Sequence, residues 1–164
     1  MKIRLAIGLL LIAATLSGFR YAWKYTLYAK PDFSGNWNIN LDKSENGEGA
    51  PITIHVTQTG DSLIIERVTK DGQSFFERLS FDGKPCVCLT TSKRRKTGVA
   101  KWDSGDKPLT ETGTLSDAQD LNKTAFNFVE HWELSTDGKE LTLKSTVTIS
   151  NGQSFTIKAV FDKG

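Results

Sequence analysis

From Gly35 to the end of the chain, hydrophobic and polar residues alternate with a period of two. Successive side chains of a β-strand point to opposite faces, so this alternation predicts strands with one inner and one outer face. No segment shows a convincing helical period. The candidate strands cover residues 36–41, 52–58, 62–69, 73–82, 86–91, 96–103, 107–116, 125–134, 139–149 and 153–162.

Short turn signals separate the candidate strands. Gly, Asp and Asn cluster in "TGD", "KDG", "DGKP", "DSGD", "TDGK" and "SNG". Tight turns of this composition join neighbouring antiparallel strands. The sequence therefore predicts an all-β fold, an antiparallel up-and-down barrel of about eight to ten strands, with a sandwich as the alternative arrangement.

The alternation also assigns each side chain to a face of the predicted barrel. The inner face receives mostly apolar residues, whereas His55 and His131 fall on the outer face. This apolar material is enough to fill one barrel interior. The inward sets are Ile52, Ile54 and Val56; Phe75, Leu79 and Phe81; Phe126, Phe128 and Trp132; Leu141, Leu143, Val147 and Ile149; and Phe155, Ile157, Ala159 and Phe161.

Three glutamates fall on the same inner face as these apolar residues. A carboxylate that is buried alone is costly, so it must be paired, hydrated or protonated. One interpretation is a cavity with polar groups in an aromatic lining, which is typical of small-ligand sites. The candidate ligand-binding residues are then Glu77, Glu111, Glu130, Phe128 and Trp132.

The inward glutamates are also compatible with arrangements that need no ligand. Some of these positions could lie at the wet mouths of the barrel, or Arg67 and Arg78 could neutralise them. A β-bulge would also turn a side chain to the other face, because one inserted residue reverses the alternation.

Residues 1–31 have the composition of a targeting leader. Lys2 and Arg4 precede an uncharged run at residues 5–19, which suits a signal peptide and is short for a membrane span. A membrane anchor that is not cleaved is the alternative. We therefore expect a β-barrel domain at 32–164 that is extracytoplasmic, either periplasmic or secreted. If the leader is not cleaved, residues 5–19 would anchor this domain to the membrane.

The basic charge of the chain is concentrated in that leader. Residues 32–164 contain 16 Lys and Arg against 19 Asp and Glu, so the predicted domain is mildly acidic. A mildly acidic domain has no general affinity for polyanions. Nucleic acid is therefore not an expected partner.

The stretch "PDFSGNWNINLDKSE" at residues 31–45 opens the first candidate strand. Its Gly35 and Trp37 resemble the G-x-W signature of lipocalins and their calycin relatives. Together with "STDGKELTLKSTVT" at residues 135–148, it is similar to small exported bacterial lipocalin-like proteins. The resemblance implies a barrel in which Gly35 and Trp37 are structural.

In that family the tryptophan packs across the barrel floor, usually beneath an arginine of the last strand. Lys158 and Lys163 are the nearest candidates for this position in the present chain. A lysine can make a cation–π contact, although a point charge does not stack as a guanidinium does.

Cys86 and Cys88 form a C-x-C pair on one strand face. A disulfide between residues two apart would be strained, because the Cα atoms lie near the upper limit of about 6.8 Å. A metal site completed by His55 and His131 would need spacing support that the sequence does not supply. No metal and no cofactor are expected, and two small, half-buried side chains are the simpler interpretation.

One dense basic run, "KRRK", lies between two candidate strands. It consists of Lys93, Arg94, Arg95 and Lys96. A solvated hairpin tip is one interpretation. The second interpretation is contact with an acidic partner or with anionic lipid, where each basic residue contributes about 1 kcal/mol.

The sequence favours a non-catalytic function. It carries no Ser-His-Asp order, no metal-ligand motif and no phosphate-binding glycine loop. We expect a barrel that binds a small, partly apolar molecule in its interior. The alternative is an envelope interaction protein that uses its outer surface and the basic hairpin at 93–96, with side chains filling the barrel. An empty aromatic-lined cavity would favour the first function.

Overall fold

Ten antiparallel strands follow one another along the chain in the computed structural model, which describes residues 30–103 and 108–164. The ten predicted strands and the all-β class are confirmed, and the fold adds two short 3₁₀ turns, Leu41–Lys43 and Gly47–Gly49. The strands are β1 (Gly35–Ile39), β2 (Thr53–Gln58), β3 (Ser62–Val68), β4 (Ser74–Ser80), β5 (Cys86–Leu89), β6 (Arg95–Trp102), β7 (Leu109–Ser116), β8 (Thr124–Leu134), β9 (Glu140–Ile149) and β10 (Ser154–Lys163).

The strands form one sheet in the order β4-β3-β2-β1-β10-β9-β8-β7-β6-β5. Strands β1 and β10 pair, with Trp37 opposite Lys163, and this pairing curls the sheet into a nearly closed barrel. No backbone ladder joins β4 to β5 in the described residues. At this junction, which we call the seam, the backbone N–H of Arg78 donates to Sγ of Cys86 at 3.3 Å. A side chain therefore bridges the place where strand pairing stops.

An aromatic plug fills one end of the barrel and consists of Phe33, Trp37, Trp102 and Trp132. Phe33 stacks on Trp102 with ring centroids 5.9 Å apart, and it meets Trp132 edge to face at 5.7 Å. The indole Nε1 of Trp37 donates to the carbonyl oxygen of Phe33 at 2.9 Å. Nζ of Lys163 lies 5.2 Å from the centre of the Trp37 ring. Lys163 therefore takes the position over the tryptophan, while Lys158 contacts Glu45.

The alternation of inner and outer side chains holds for most of the predicted sets. Ile54 and Val56 are buried, and the three glutamates point inward. Ile52 is 38% exposed and does not line the cavity, so it is not part of the buried interior in which the prediction placed it. It lies one residue before β2 begins, where the alternation of the strand no longer fixes the side chain.

Two facing glycines allow close packing inside the barrel, and one of them makes room for an inward carboxylate. Gly98 on β6 stands opposite Gly113 on β7. A Cβ atom at Gly98 would overlap Oε1 of Glu111, and one at Gly113 would overlap the carbonyl oxygen of Thr97. The volume that a side chain at Gly98 would otherwise occupy is left to Glu111.

The predicted leader lies outside the described residues except for Lys30 and Pro31, so its role is untested. Within 30–103 and 108–164, no helix is long and apolar enough to cross a membrane. The division of the chain into 1–31 and 32–164 therefore stays a prediction.

Candidate functional site

A cavity of about 410 Å³ occupies the end of the barrel opposite the aromatic plug. This volume lies within the range of about 300–1,000 Å³ that small-molecule sites usually have. Aromatic side chains form much of the wall, and Phe155 is 49% exposed at the mouth. The aromatic lining consists of Phe75, Phe126, Phe128, Phe155 and Phe161, and the charged lining consists of Arg67, Arg94, Lys96 and Glu130.

The floor of the cavity is a buried group of five ionisable side chains, which we call the charge cluster: Arg67, Glu77, Lys96, Glu111 and Glu130. Arg67 links two of the carboxylates. Its Nε donates to Oε1 of Glu77 at 2.5 Å, and its Nη2 donates to Oε1 of Glu130 at 2.6 Å. The guanidinium carbon also lies 5.4 Å from the centre of the Trp132 ring. Arg67 therefore connects the cavity floor to the aromatic plug.

Lys96 completes the charge cluster from the other side. Its Nζ contacts Oε2 of Glu77 and lies 2.9 and 3.0 Å from the two oxygens of Glu111. The direction of the contact favours Oε2 of Glu111, and Oε1 receives no hydrogen bond from the described residues. Ser145 donates to Oε2 of Glu130 at 2.7 Å. Two cations thus serve three carboxylates.

The two cations lower the pKa values of the three carboxylates to different extents. Burial raises the pKa of Glu77, but the charges of Arg67 and Lys96 outweigh it and lower that pKa to about 2. Burial dominates at Glu111 and raises its pKa to about 7, because Lys96 offsets only part of the cost. The pKa of Glu130 is lowered, since Arg67 more than compensates its burial. With Glu111 protonated, the charge cluster is neutral.

The free energy of unfolding of the wild type should fall as the pH rises, because Glu111 becomes charged. Replacing Glu111 with Gln should prevent this fall. The carboxyl has a pKa of about 7 in the folded protein and about 4.5 when unperturbed, so the folded state binds more protons between these values. Folding stability then falls as the pH rises through this window, by on the order of 3 kcal/mol for a buried group. We expect the variant to be more stable than the wild type at pH 8 and similar at pH 5, as measured by urea unfolding.

The matched control for this change is Glu133→Gln. Glu133 lies on β8 and is exposed, so its replacement should change the free energy of unfolding by less than about 0.5 kcal/mol. Below pH 4 the wild type and both variants should lose stability together, because the lowered pKa of Glu77 contributes stability that disappears as that group is protonated. If the wild type and Glu111→Gln were equally stable at pH 8, Glu111 would not be a buried carboxyl with a raised pKa.

The structure places the predicted ligand-binding residues at two depths. Glu130 and Phe128 line the cavity. Glu77 and Glu111 lie on the side of the charge cluster that faces away from the cavity, each in contact with Lys96, and Trp132 lies deeper in the aromatic plug. The cavity lining does not include Glu77, Glu111 or Trp132. These residues instead contact Arg67 or Lys96, the two cations of the charge cluster, which do line the cavity.

The basic run at 93–96 is a solvated hairpin tip only in part: Lys93 lies exposed in the loop between β5 and β6, whereas Lys96 is not available to an acidic partner or to lipid. Lys96 is 8% exposed, because it begins the inward-facing series of β6 together with Gly98 and Ala100. Arg94 is in phase with Lys96 and lines the cavity. Lys93 and Arg95 are left on the outside. The run is not one surface, because strand alternation divides its charges between two faces.

The alternation of side chains along β6 indicates from the sequence that Lys96, the second cation of the cavity floor, points inward. Lys96 stands two residues before Gly98 and four before Ala100, on the face that the barrel buries. Arg67, one of the two neutralising candidates in the sequence, does neutralise Glu77 and Glu130. The role of Ser145 has no sequence signal, because it depends on the pairing of β8 with β9.

The cysteines and histidines do not come together. The nitrogen Nδ1 of His55 lies 2.7 Å from Oδ1 of Asn36, and Nδ1 of His131 lies 2.8 Å from Oγ1 of Thr110. Cys86 and Cys88 are free thiols on β5 at the seam. Across the part of the chain that the structure describes, no group of three or more His, Cys, Asp or Glu side chains is arranged to hold a metal ion.

The barrel with its open cavity has a counterpart among solved structures. The chain is similar to the crystal structure of zebrafish ileal bile acid-binding protein complexed with cholic acid, with a TM-score of 0.53 over 80% of this chain and 98% of that chain. The fold is a calycin-like barrel. The sequences are 16% identical, so the similarity concerns the fold alone. No protein-family model matches the chain, and no curated protein matches it.

Proposed function

We propose that the protein is a non-catalytic carrier that binds a small, partly apolar molecule inside its barrel. The observation that carries this proposal is the open cavity of about 410 Å³ with an aromatic wall and a polar floor. Apolar walls supply most of the binding free energy of such sites, and a few polar groups orient the ligand. The zebrafish protein of similar fold was crystallised with cholic acid, an amphiphile, which supports an amphiphilic ligand here as well.

The arrangement of the charge cluster supports a binding role rather than catalysis. Glu77 and Glu111 are separated from the cavity by Arg67 and Lys96, and Glu130, which does line the cavity, is paired with Arg67 and accepts a hydrogen bond from Ser145. A general acid or base must reach the reacting atoms within hydrogen-bonding distance. The alternative function, an envelope interaction protein with a filled barrel, is disfavoured by the cavity and by the inward position of Arg94 and Lys96.

A fluorescence titration with the uncharged probe N-phenyl-1-naphthylamine tests the carrier function. The wild type should bind the probe saturably, and Val147→Trp, which places an indole in the cavity, should weaken binding about tenfold or more. The neighbouring Thr146→Trp is the matched control, because Thr146 alternates with Val147 and does not line the cavity. Equal weakening by both variants, or no saturable binding to folded wild type, would refute the proposal.

We also propose that the domain acts outside the cytoplasm. The support is the basic start and uncharged run of residues 1–19, together with the resemblance to small exported bacterial lipocalin-like proteins. Expression of the full chain followed by cell fractionation should place the barrel domain in the extracytoplasmic fraction, soluble if the leader is cleaved and membrane-bound if it is retained. Full-length, soluble protein in the cytoplasm would contradict this localisation.

A further inference from the structure

The charge cluster limits which chemical group the cavity floor accepts. Both of its cations are already in contact with carboxylates: Arg67 with Glu77 and Glu130, and Lys96 with Glu77 and Glu111. The ionised carboxylates equal or outnumber the cations, whichever protonation state Glu111 takes. The floor therefore offers no net positive charge to a ligand.

A ligand carboxylate at the floor would be a buried anion without a free counterion. A buried charge is tolerated only when it is paired and hydrogen-bonded, and here the carboxylates of the charge cluster already balance both cations, so an added anion would give the floor a net negative charge. An uncharged polar group fits this floor better. The Nη1 group of Arg67 donates to none of the described residues and is available to a hydroxyl or carbonyl oxygen, while the carboxylate of Glu130 can accept from a hydroxyl.

The mouth of the cavity has the opposite character. Arg94 lines the cavity two residues before Lys96, in the loop immediately before β6 begins. It donates to the carbonyl oxygen of Ser116 at 2.8 Å, and its guanidinium carbon lies 5.2 Å from the centre of the Phe126 ring. No carboxylate of the described residues lies within 4.0 Å of its nitrogens. Arg94 is thus a positioned cation without an ion-pair partner in this part of the chain.

We propose that the floor takes the uncharged polar end of an amphiphile, and that a ligand with a negative charge keeps that charge at the mouth, beside Arg94. This inference rests on the proposed carrier function and specifies the ligand class for the same cavity. The ligand is an elongated apolar molecule with a hydroxyl, carbonyl or amide at its inner end. A molecule with an anion at each end is excluded from full entry.

Three ligands of equal chain length test the proposal on the unmodified protein: 1,10-decanediol, 10-hydroxydecanoate and decanedioate. Isothermal titration calorimetry near pH 6.5 keeps the ligand carboxylates ionised. We expect 10-hydroxydecanoate to bind about tenfold or more tightly than decanedioate, because only the diacid must place an anion at the floor. Decanedioate binding as tightly as 10-hydroxydecanoate would overturn the inference.

Two variants test the two ends separately. Glu130→Gln removes one negative charge from the floor, so decanedioate should gain about fivefold or more in affinity relative to 10-hydroxydecanoate. Arg94→Gln should weaken 10-hydroxydecanoate about three- to tenfold and leave 1,10-decanediol within about twofold. Arg95→Gln is the matched control, since Arg95 is the next residue and does not line the cavity. Equal effects of Arg94→Gln on both ligands would contradict the placement of the charge.

The failure of this inference differs from the failure of the carrier function. If folded wild type binds neither the naphthylamine probe nor any of the three ligands, the carrier function is wrong and the inference falls with it. If the ligands bind and the diacid is preferred, the carrier function stands and the charge assignment alone is wrong.

Discussion

Replacing Arg67 with Met should lower the free energy of unfolding by about 3–5 kcal/mol at neutral pH, which is the cost of removing one partner from a buried ion pair. Arg67 is buried, and its guanidinium holds Glu77 and Glu130 at 2.5 and 2.6 Å. Methionine fills a similar volume, so little of the loss comes from a cavity. The variant leaves Lys96 as the one cation among the three carboxylates of the charge cluster. Urea unfolding followed by circular dichroism measures the change.

The pH dependence separates this electrostatic loss from a packing defect. Without the guanidinium, the pKa values of Glu77 and Glu130 rise, because less positive charge then offsets the effect of burial. The deficit of the variant should therefore be largest at pH 8 and should shrink as the pH falls and these carboxyls are protonated. Arg78→Met, an exposed position on β4, is the control and should change stability by less than about 0.5 kcal/mol. An Arg67→Met deficit below about 1 kcal/mol at pH 8 would mean that the ion pairs contribute little.

Replacing Trp37 with Ala should destabilise the fold by about 3–5 kcal/mol. The indole is fully buried in the aromatic plug, donates to the Phe33 carbonyl and lies beneath Lys163. Its removal leaves a cavity between β1 and β10 that the paired backbones cannot collapse to fill. Thermal and urea unfolding both report the change.

Two comparisons sharpen the Trp37 experiment. Phe76→Ala removes a ring that is 61% exposed on the outer face, and it should cost less than about 1 kcal/mol. Under conditions where Trp37→Ala is folded, its affinity for N-phenyl-1-naphthylamine should match that of the wild type, because the plug lies at the end opposite the cavity. A melting curve like that of the wild type would show that the plug does not need this side chain.

The strands of this barrel were predictable because their cause is local. A period of two and tight Gly-Asp-Asn turns are properties of a few consecutive residues, and all ten candidate strands correspond to observed ones. The inward direction of Glu77, Glu111 and Glu130 followed from the same alternation. These features needed no knowledge of which strands pair.

The composition of the site was less predictable because it depends on pairs that are distant in sequence. The contact of Arg67 with Glu130 crosses the barrel interior, and that of Glu77 with Lys96 spans the seam, from β4 to β6. The seam likewise depends on how the whole sheet closes, and the sequences of β4 and β5 do not indicate it. The inward position of Lys96 was obscured for a different reason, because it ends a run of four basic residues that resembles a continuous charged surface.

From the order of strands in the sheet we expect the β1–β10 pair to form last during folding. Every neighbouring strand pair except one joins strands that are consecutive in the chain, and hairpins of this kind form from short loops. The exception is the β1–β10 pair, which brings Trp37 opposite Lys163, more than a hundred residues later in the sequence. The plug around Trp37 therefore cannot be completed until β10 has been synthesised. Until then the unpaired edges of β1 and β9 remain open to other chains, so aggregation competes with folding most strongly just before β10 docks.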